Sequence, residues 1–164
     1  MSTRAYIGLG SNLGEPARQI QYAIDALAVL PLSKLVSRSS LYRSPALTLP
    51  GSTPQPDYLN AVAALDTALD PQALLAALFQ IEHAQGRVRE QRWGARTLDL
   101  DLLLYGSLQW QSATLTLPHY ALCERPFVVI PLLEIAPDLT LPDGRRLREI
   151  AEALGAGDLQ RVSA

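Results

Sequence analysis

The sequence predicts an α+β fold: a ferredoxin-like βαββαβ sandwich with an antiparallel sheet, helices on one face, and an extra strand and helices at the C-terminal end. Three observations predict it. Four segments read as strands, at residues 5–9, 34–43, 58–67 and 98–102. Two stretches between them carry helical periodicity and open on Pro, at Glu15-Pro16 and Asp70-Pro71. Strand-helix-strand-strand-helix-strand is the order in which two helices cover one side of an antiparallel sheet. At 164 residues the chain makes one domain, 1–164, with room for a sizeable core but not for two.

Ala5 to Leu9 is a short apolar run, a buried strand that ends at Gly10-Ser11-Asn12. Gly8, Gly10 and Gly14 invite comparison with a dinucleotide fingerprint. The third glycine comes one position late and no parallel unit with a ribose-binding acid follows, so that reading is rejected. The glycines instead permit close approach of a ligand or another strand. The first helix carries Ile20, Ala23, Ile24, Leu27 and Leu30 as its apolar stripe and stops at Pro31. Lys34 to Arg43 alternates loosely and reads as one strand. Four prolines and a glycine then fill residues 44–57, which excludes regular structure; a loop this long is functional or disordered.

Tyr58 to Thr67 sets Tyr58, Asn60 and Val62 on one face, and Leu59, Ala61, Ala63 and Leu65 on the other. In the second helix Asp70 caps, Pro71 starts, and Leu74, Leu75, Leu78, Ile81 and Glu82 follow. Gln109 to Leu117 reads as a further strand. A short helix lies within Arg125 to Ile135, and a closing helix runs from Leu147 to Leu154, ended by Gly155.

The chemistry concentrates between Gly86 and Gly106. Arg87, Arg89, Arg92 and Arg96 stand with Trp93 against a single Glu90, in a chain whose net charge is −2. The following strand alternates leucine with Asp99 and Asp101, so both carboxylates project from one face, roughly 6.5–7 Å apart. Asp-x-Asp alone is usually a solvated strand face. Here two poor strand formers interrupt a leucine strand beside four guanidinium groups. Bare, the carboxylates would repel; a hard divalent cation relieves them, and with no His or Cys adjacent the pattern favours magnesium. Mg²⁺-binding acids next to phosphate-binding arginines are the parts that handle a nucleoside triphosphate.

Slight acidity argues against bulk nucleic-acid binding. One cysteine, Cys123, excludes an internal disulfide and fits a reducing compartment. No apolar run nears the ~18 residues of a membrane span, and the N-terminal residues lack a signal-peptide pattern. The expectation is a cytoplasmic protein with no nucleic-acid or membrane partner. Taken singly, Tyr58 and Phe127 read as packing aromatics, His83 as helix surface and His119 as a turn residue. Their coincidence with the acidic pair changes the reading.

Six blocks in order carry a resemblance across nearly the whole chain. They are residues 6–14 (YIGLGSNLG), 55–61 (QPDYLNA), 86–89 (GRVR), 92–101 (RWGARTLDLD), 117–119 (LPH) and 134–138 (EIAPD). Together they resemble the 6-hydroxymethyl-7,8-dihydropterin pyrophosphokinase family of folate biosynthesis. The resemblance implies transfer of the terminal diphosphoryl unit of ATP to the pterin hydroxymethyl oxygen, releasing AMP. It implies that Asp99 and Asp101 hold two Mg²⁺ ions, with Arg87 and Arg96 neutralising phosphoryl charge. Glu82, Arg89, Arg92, Leu102, Thr116, His119, Tyr120 and Arg125 would contact ATP. Tyr58 and Phe127 would sandwich the pterin, Asn60 would read its edge, Ser44, Pro45 and Leu47 would complete the pocket, and Trp93 would close over it. ATP and the pterin would be the only partners of a monomer. Thr114 stands where the family often has arginine, and Ala95 where it has proline.

Overall fold

The structure, a computed structural model, describes residues 2–12, 15–45, 57–84 and 98–162. Expectations placed on Leu47, Arg87, Arg89, Arg92, Trp93, Arg96 and the other residues of 46–56 and 85–97 lie outside the described residues.

Elements follow in the order β1 (Thr3–Ser11), α1 (Pro16–Ala28), β2 (Ser33–Arg38), β3 (Tyr42–Ser44), β4 (Tyr58–Thr67), α2 (Pro71–Glu82), β5 (Asp99–Tyr105), β6 (Trp110–Gln111), β7 (Thr116–Leu117), α3 (Pro126–Ile135), α4 (Leu147–Leu154) and β8 (Gln160–Arg161). The fold is mixed α+β around an antiparallel sheet of order β5-β1-β4-β3-β8, with β2 also pairing β4. β1 lies between β4 and β5, with Ile7 opposite Ala63 and Leu102.

Alternation along these strands builds two apolar layers. Ile7, Leu9, Ala63, Leu65, Leu100 and Leu102 face α1 and α2, whose Ile20, Leu27, Leu74 and Leu78 bury against them. α2 starts where Asp70 accepts the Ala73 N–H at 2.8 Å with Pro71 behind it, a cap that satisfies a donor the helix cannot. Leu74, Leu75, Leu78 and Ile81 of α2 are buried, and so is Glu82, which was expected beside ATP.

Helices do not stay on one face. Tyr6, Val62, Ala64, Leu103 and Leu104 form a second layer with Val128, Val129 and Leu132 of α3 and Leu147 of α4. Alternation along β5 sets Asp99, Asp101 and Leu103 on this second face. Its register with β1 shifts between Tyr6 and Ile7, leaving Leu103 as a bulge residue. Beyond the aspartates, Leu103 and Leu104 therefore both join the second layer. The face expected to be open is covered in part, and only the remainder is left for a site.

Three strand expectations are corrected. β1 runs through Gly8 and Gly10 to Ser11 rather than ending at Leu9. The expected strand 34–43 breaks into β2 and β3, because Ser39 Oγ accepts the Val62 N–H at 3.0 Å in place of a backbone group and Ser40 turns to Glu134. The expected strand 109–117 is a separate hairpin of β6 and β7, since Ser112 with Leu115 closes a turn across its middle. β8, pairing with β3, was not foreseen from the sequence. Its two residues carry too little pattern.

Candidate active site

β1 contributes the floor by what it lacks. Gly10 lies between Asp99 on β5 and Asn60 on β4, and Gly8 between Asp101 and Val62. With no side chains in these rows, a trough roughly 10 Å wide runs between the carboxylates and the far wall, two strand spacings away. A Cβ on Gly10 would stand 3.5 Å from Asn60 Oδ1 and 3.9 Å from Tyr58 Cδ1. The sequence signal was present: Tyr6, Gly8 and Gly10 share the face opposite Ile7 and Leu9.

Above this floor opens a cavity of about 330 Å³. Ser44, Pro45, Tyr58 and Asn60 line it from β3 and β4, Asp99 and Asp101 from β5, and Arg125 and Phe127 from the start of α3. The structure brings both expected aromatics to one cavity with the acidic pair. The Arg125 guanidinium lies 5.6 Å from the Phe127 ring centroid, within cation–π range. Asn60 is nearly fully buried, with Nδ2 donating to Ser44 Oγ at 2.9 Å.

A second cavity of about 270 Å³ adjoins, lined by Leu102, Thr114, Thr116, His119 and Tyr120, with Leu75 and Phe79 of α2. Asp101 lines both cavities. Phe79, about half exposed on α2, was not singled out from the sequence. An exposed aromatic on an otherwise regular amphipathic helix was its signal.

His119 stacks on Tyr120 with ring centroids 4.7 Å apart. Its Nδ1 accepts the Ala121 N–H at 3.1 Å, so the proton of the neutral ring sits on Nε2, 3.9 Å from Asp101 Oδ1. Burial, seconded by the Arg125 charge, lowers the imidazole below its ordinary value against the pull of Asp99. Arg125, expected beside ATP, lines the first cavity rather than the second. Glu82 lines neither; its buried Oε2 accepts the Leu100 N–H at 2.6 Å, anchoring β5 between the two aspartates.

Among the described residues no group of three or more His, Cys, Asp or Glu side chains could hold a metal ion, so Asp99 and Asp101 form the available donor set. Asp99 lines the first cavity and Asp101 both; hard carboxylate oxygens like these fit the chemistry of Mg²⁺, which keeps water and phosphate oxygens in most of its coordination sphere.

The profile of the 7,8-dihydro-6-hydroxymethylpterin-pyrophosphokinase (HPPK) family matches residues 6–137. The chain belongs to the HPPK family. As an HPPK-family enzyme it is a pyrophosphokinase, a diphosphotransferase of folate biosynthesis. The 2-amino-4-hydroxy-6-hydroxymethyldihydropteridine pyrophosphokinase of Pseudomonas aeruginosa is 51% identical over 162 residues, 99% of this chain and 98% of that protein. That of Haemophilus influenzae is 50% identical over 148 residues, covering 90% and 91%. Among solved structures, Plasmodium falciparum HPPK-DHPS wild type superposes with a TM-score of 0.70 at 12% identity, over 93% of this chain and 41% of that one. An HPPK-DHPS complex with substrates gives 0.68 at 12%, over 93% and 43%. At such identity the likeness concerns the HPPK fold, and this chain spans less than half of either larger one.

Proposed function

We propose that the first cavity holds 6-hydroxymethyl-7,8-dihydropterin, the second holds ATP, and the diphosphoryl group passes between them at Asp101, on a ferredoxin-like βαββαβ core. The observation that carries this is Asp101's place in the walls of both cavities. Strand order supports the core: with β2 and β3 counted as one strand, the sheet runs fourth, first, third, second.

A flat heterocycle fits between Tyr58 and Phe127, with Asn60 at its edge and the glycine floor beneath. Ser44, Pro45 and Leu47 complete that pocket. ATP is held by Leu102, Thr116, His119 and Tyr120, with Arg125 at the boundary, and with Arg89 and Arg92 from the loop. Glu82 serves this site by fixing β5. Asp99 and Asp101 would hold two Mg²⁺ ions, which would supply positive charge against the phosphates and make the transferred phosphoryl group more electrophilic. Arg87 and Arg96 add positive charge as the leaving AMP departs, and Trp93 closes the cleft against water. The protein works as a cytoplasmic monomer.

Incubation with Mg·ATP and the hydroxymethyl pterin, followed by chromatography, tests the reading. AMP and pterin diphosphate in equal amounts are expected. ADP as the nucleotide product, or AMP released at the same rate without pterin, would overturn it.

A further inference from the structure

Glu134 stands two turns along α3 from Phe127 and lines neither cavity. Its carboxylate nevertheless gathers donors from the segment joining β2 to β3. The Ser40 N–H lies 3.1 Å from each oxygen, and Ser40 Oγ donates to Oε2 at 2.9 Å. The Tyr42 hydroxyl donates to Oε1 at 2.6 Å. Arg161 of β8 stands 3.9 Å away, and β8 itself pairs with Tyr42 and Arg43. One side chain of α3 thereby ties down the strand β3, which is also paired with β4.

β3 in turn sets Asn60. Asn60 Nδ2 donates to Ser44 Oγ at 2.9 Å and to the Tyr42 carbonyl at 3.4 Å. A carbonyl only accepts, so the nitrogen side of the amide must face this wall. That turns Oδ1 over Gly10, at the cavity floor.

We propose that Glu134 is a positioning residue: through Tyr42 and β3 it holds Asn60 with the amide carbonyl toward the ligand, so that the cavity selects a ring edge bearing N–H donors. This rests on the reading of the first cavity as the acceptor site. An amide at liberty to flip would take donors or acceptors alike. A pinned one leaves its buried oxygen unpaired against the wrong edge, and that discriminates strongly.

The test titrates 6-hydroxymethylpterin calorimetrically, with a non-hydrolysable Mg·ATP analogue present, into the parent, Glu134→Gln, Asn60→Ala and the double variant. Glu134→Gln is expected to weaken pterin binding about tenfold while leaving affinity for the ATP analogue within about twofold. In the Asn60→Ala background the same change is expected to have no further effect, the non-additivity of residues acting through one contact. Equal weakening in both backgrounds, unchanged pterin affinity, or equal loss for both ligands would overturn the proposal. Tyr42→Phe keeps the ring and removes only the donor to Glu134; it is expected to show the same pattern, and decides the matter should Glu134→Gln not fold. If Asn60→Ala binds pterin as the parent does, the acceptor-site reading itself fails. If Asn60→Ala weakens binding and Glu134 has no influence, only the positioning role fails.

Discussion

Gly10 carries no chemistry, yet its missing side chain opens the floor of the first cavity. Gly10→Val would suit a strand residue's propensity, and its Cβ meets neighbours only at ordinary contact distance. The valine methyls, however, would fill the floor below Asn60. Folding is expected to survive, with the thermal midpoint close to the parent's, while KM for the pterin rises at least about tenfold and KM for ATP stays put. Steady-state kinetics with each substrate varied checks this; equal rises in both would contradict it. Glu134 makes a different prediction. Burial pushes its carboxyl upward, but hydrogen bonds from the Tyr42 hydroxyl and from Ser40 outweigh that and hold it below the ordinary 4.5. The Tyr42 hydroxyl, buried against this carboxylate, is pushed up to about 12, so both shifts favour an ionised acid beneath a protonated phenol. A carboxyl lowered in the folded state contributes stability in full above its unfolded value and loses it as pH falls through the folded one. Melting curves of parent and Glu134→Gln should therefore show a midpoint gap that is constant near neutrality and narrows below about pH 4.5. A gap that widens in acid would contradict the shift.

At the scale of the element, α2 links stability to the site. Its N-terminus is capped by Asp70 and its last turn delivers Glu82 to the Leu100 N–H between the two aspartates. Asp70→Ala leaves the Ala73 N–H without its cap and should lower stability by about 1 kcal/mol in urea titration, without changing the nucleotide product. No measurable loss would mean the cap is redundant. The start and buried face of α2 were legible because a cap, a proline and an apolar stripe all agreed, although the helix ends at Glu82 rather than running on to Gly86. β5 was legible for a related reason, since leucine–aspartate alternation admits one arrangement of faces. The segment 34–43 was not, because its break depends on Ser39 meeting Val62 and Ser40 meeting Glu134, partners far away in sequence. The hairpin of β6 and β7 escaped for the opposite reason: two-residue strands have no period to read.

For the whole molecule, the sheet serves as both core and cleft. One face packs α1 and α2; the other packs α3 and α4 over part of its length and opens where glycine replaces bulk. The sequence carried the first layer in its alternation. It did not reveal that α3 would return to cover the second, since an apolar helix does not announce which face it meets. Nor did it place Arg125 in the first cavity rather than the second. The acidic pair was nameable because strand alternation fixed its direction; Tyr58, Phe127 and Asn60 were nameable only through the family resemblance, since singly the two aromatics read as packing residues. What remained was how the two cavities relate, and Asp101 answers that by lining both. Asp101→Asn, nearly the same in shape, tests this most directly through paired measurements of binding and turnover. A parent-like melting midpoint, retained pterin affinity, and a kcat at least about a hundredfold lower are expected. Near-parental turnover in that variant would contradict this.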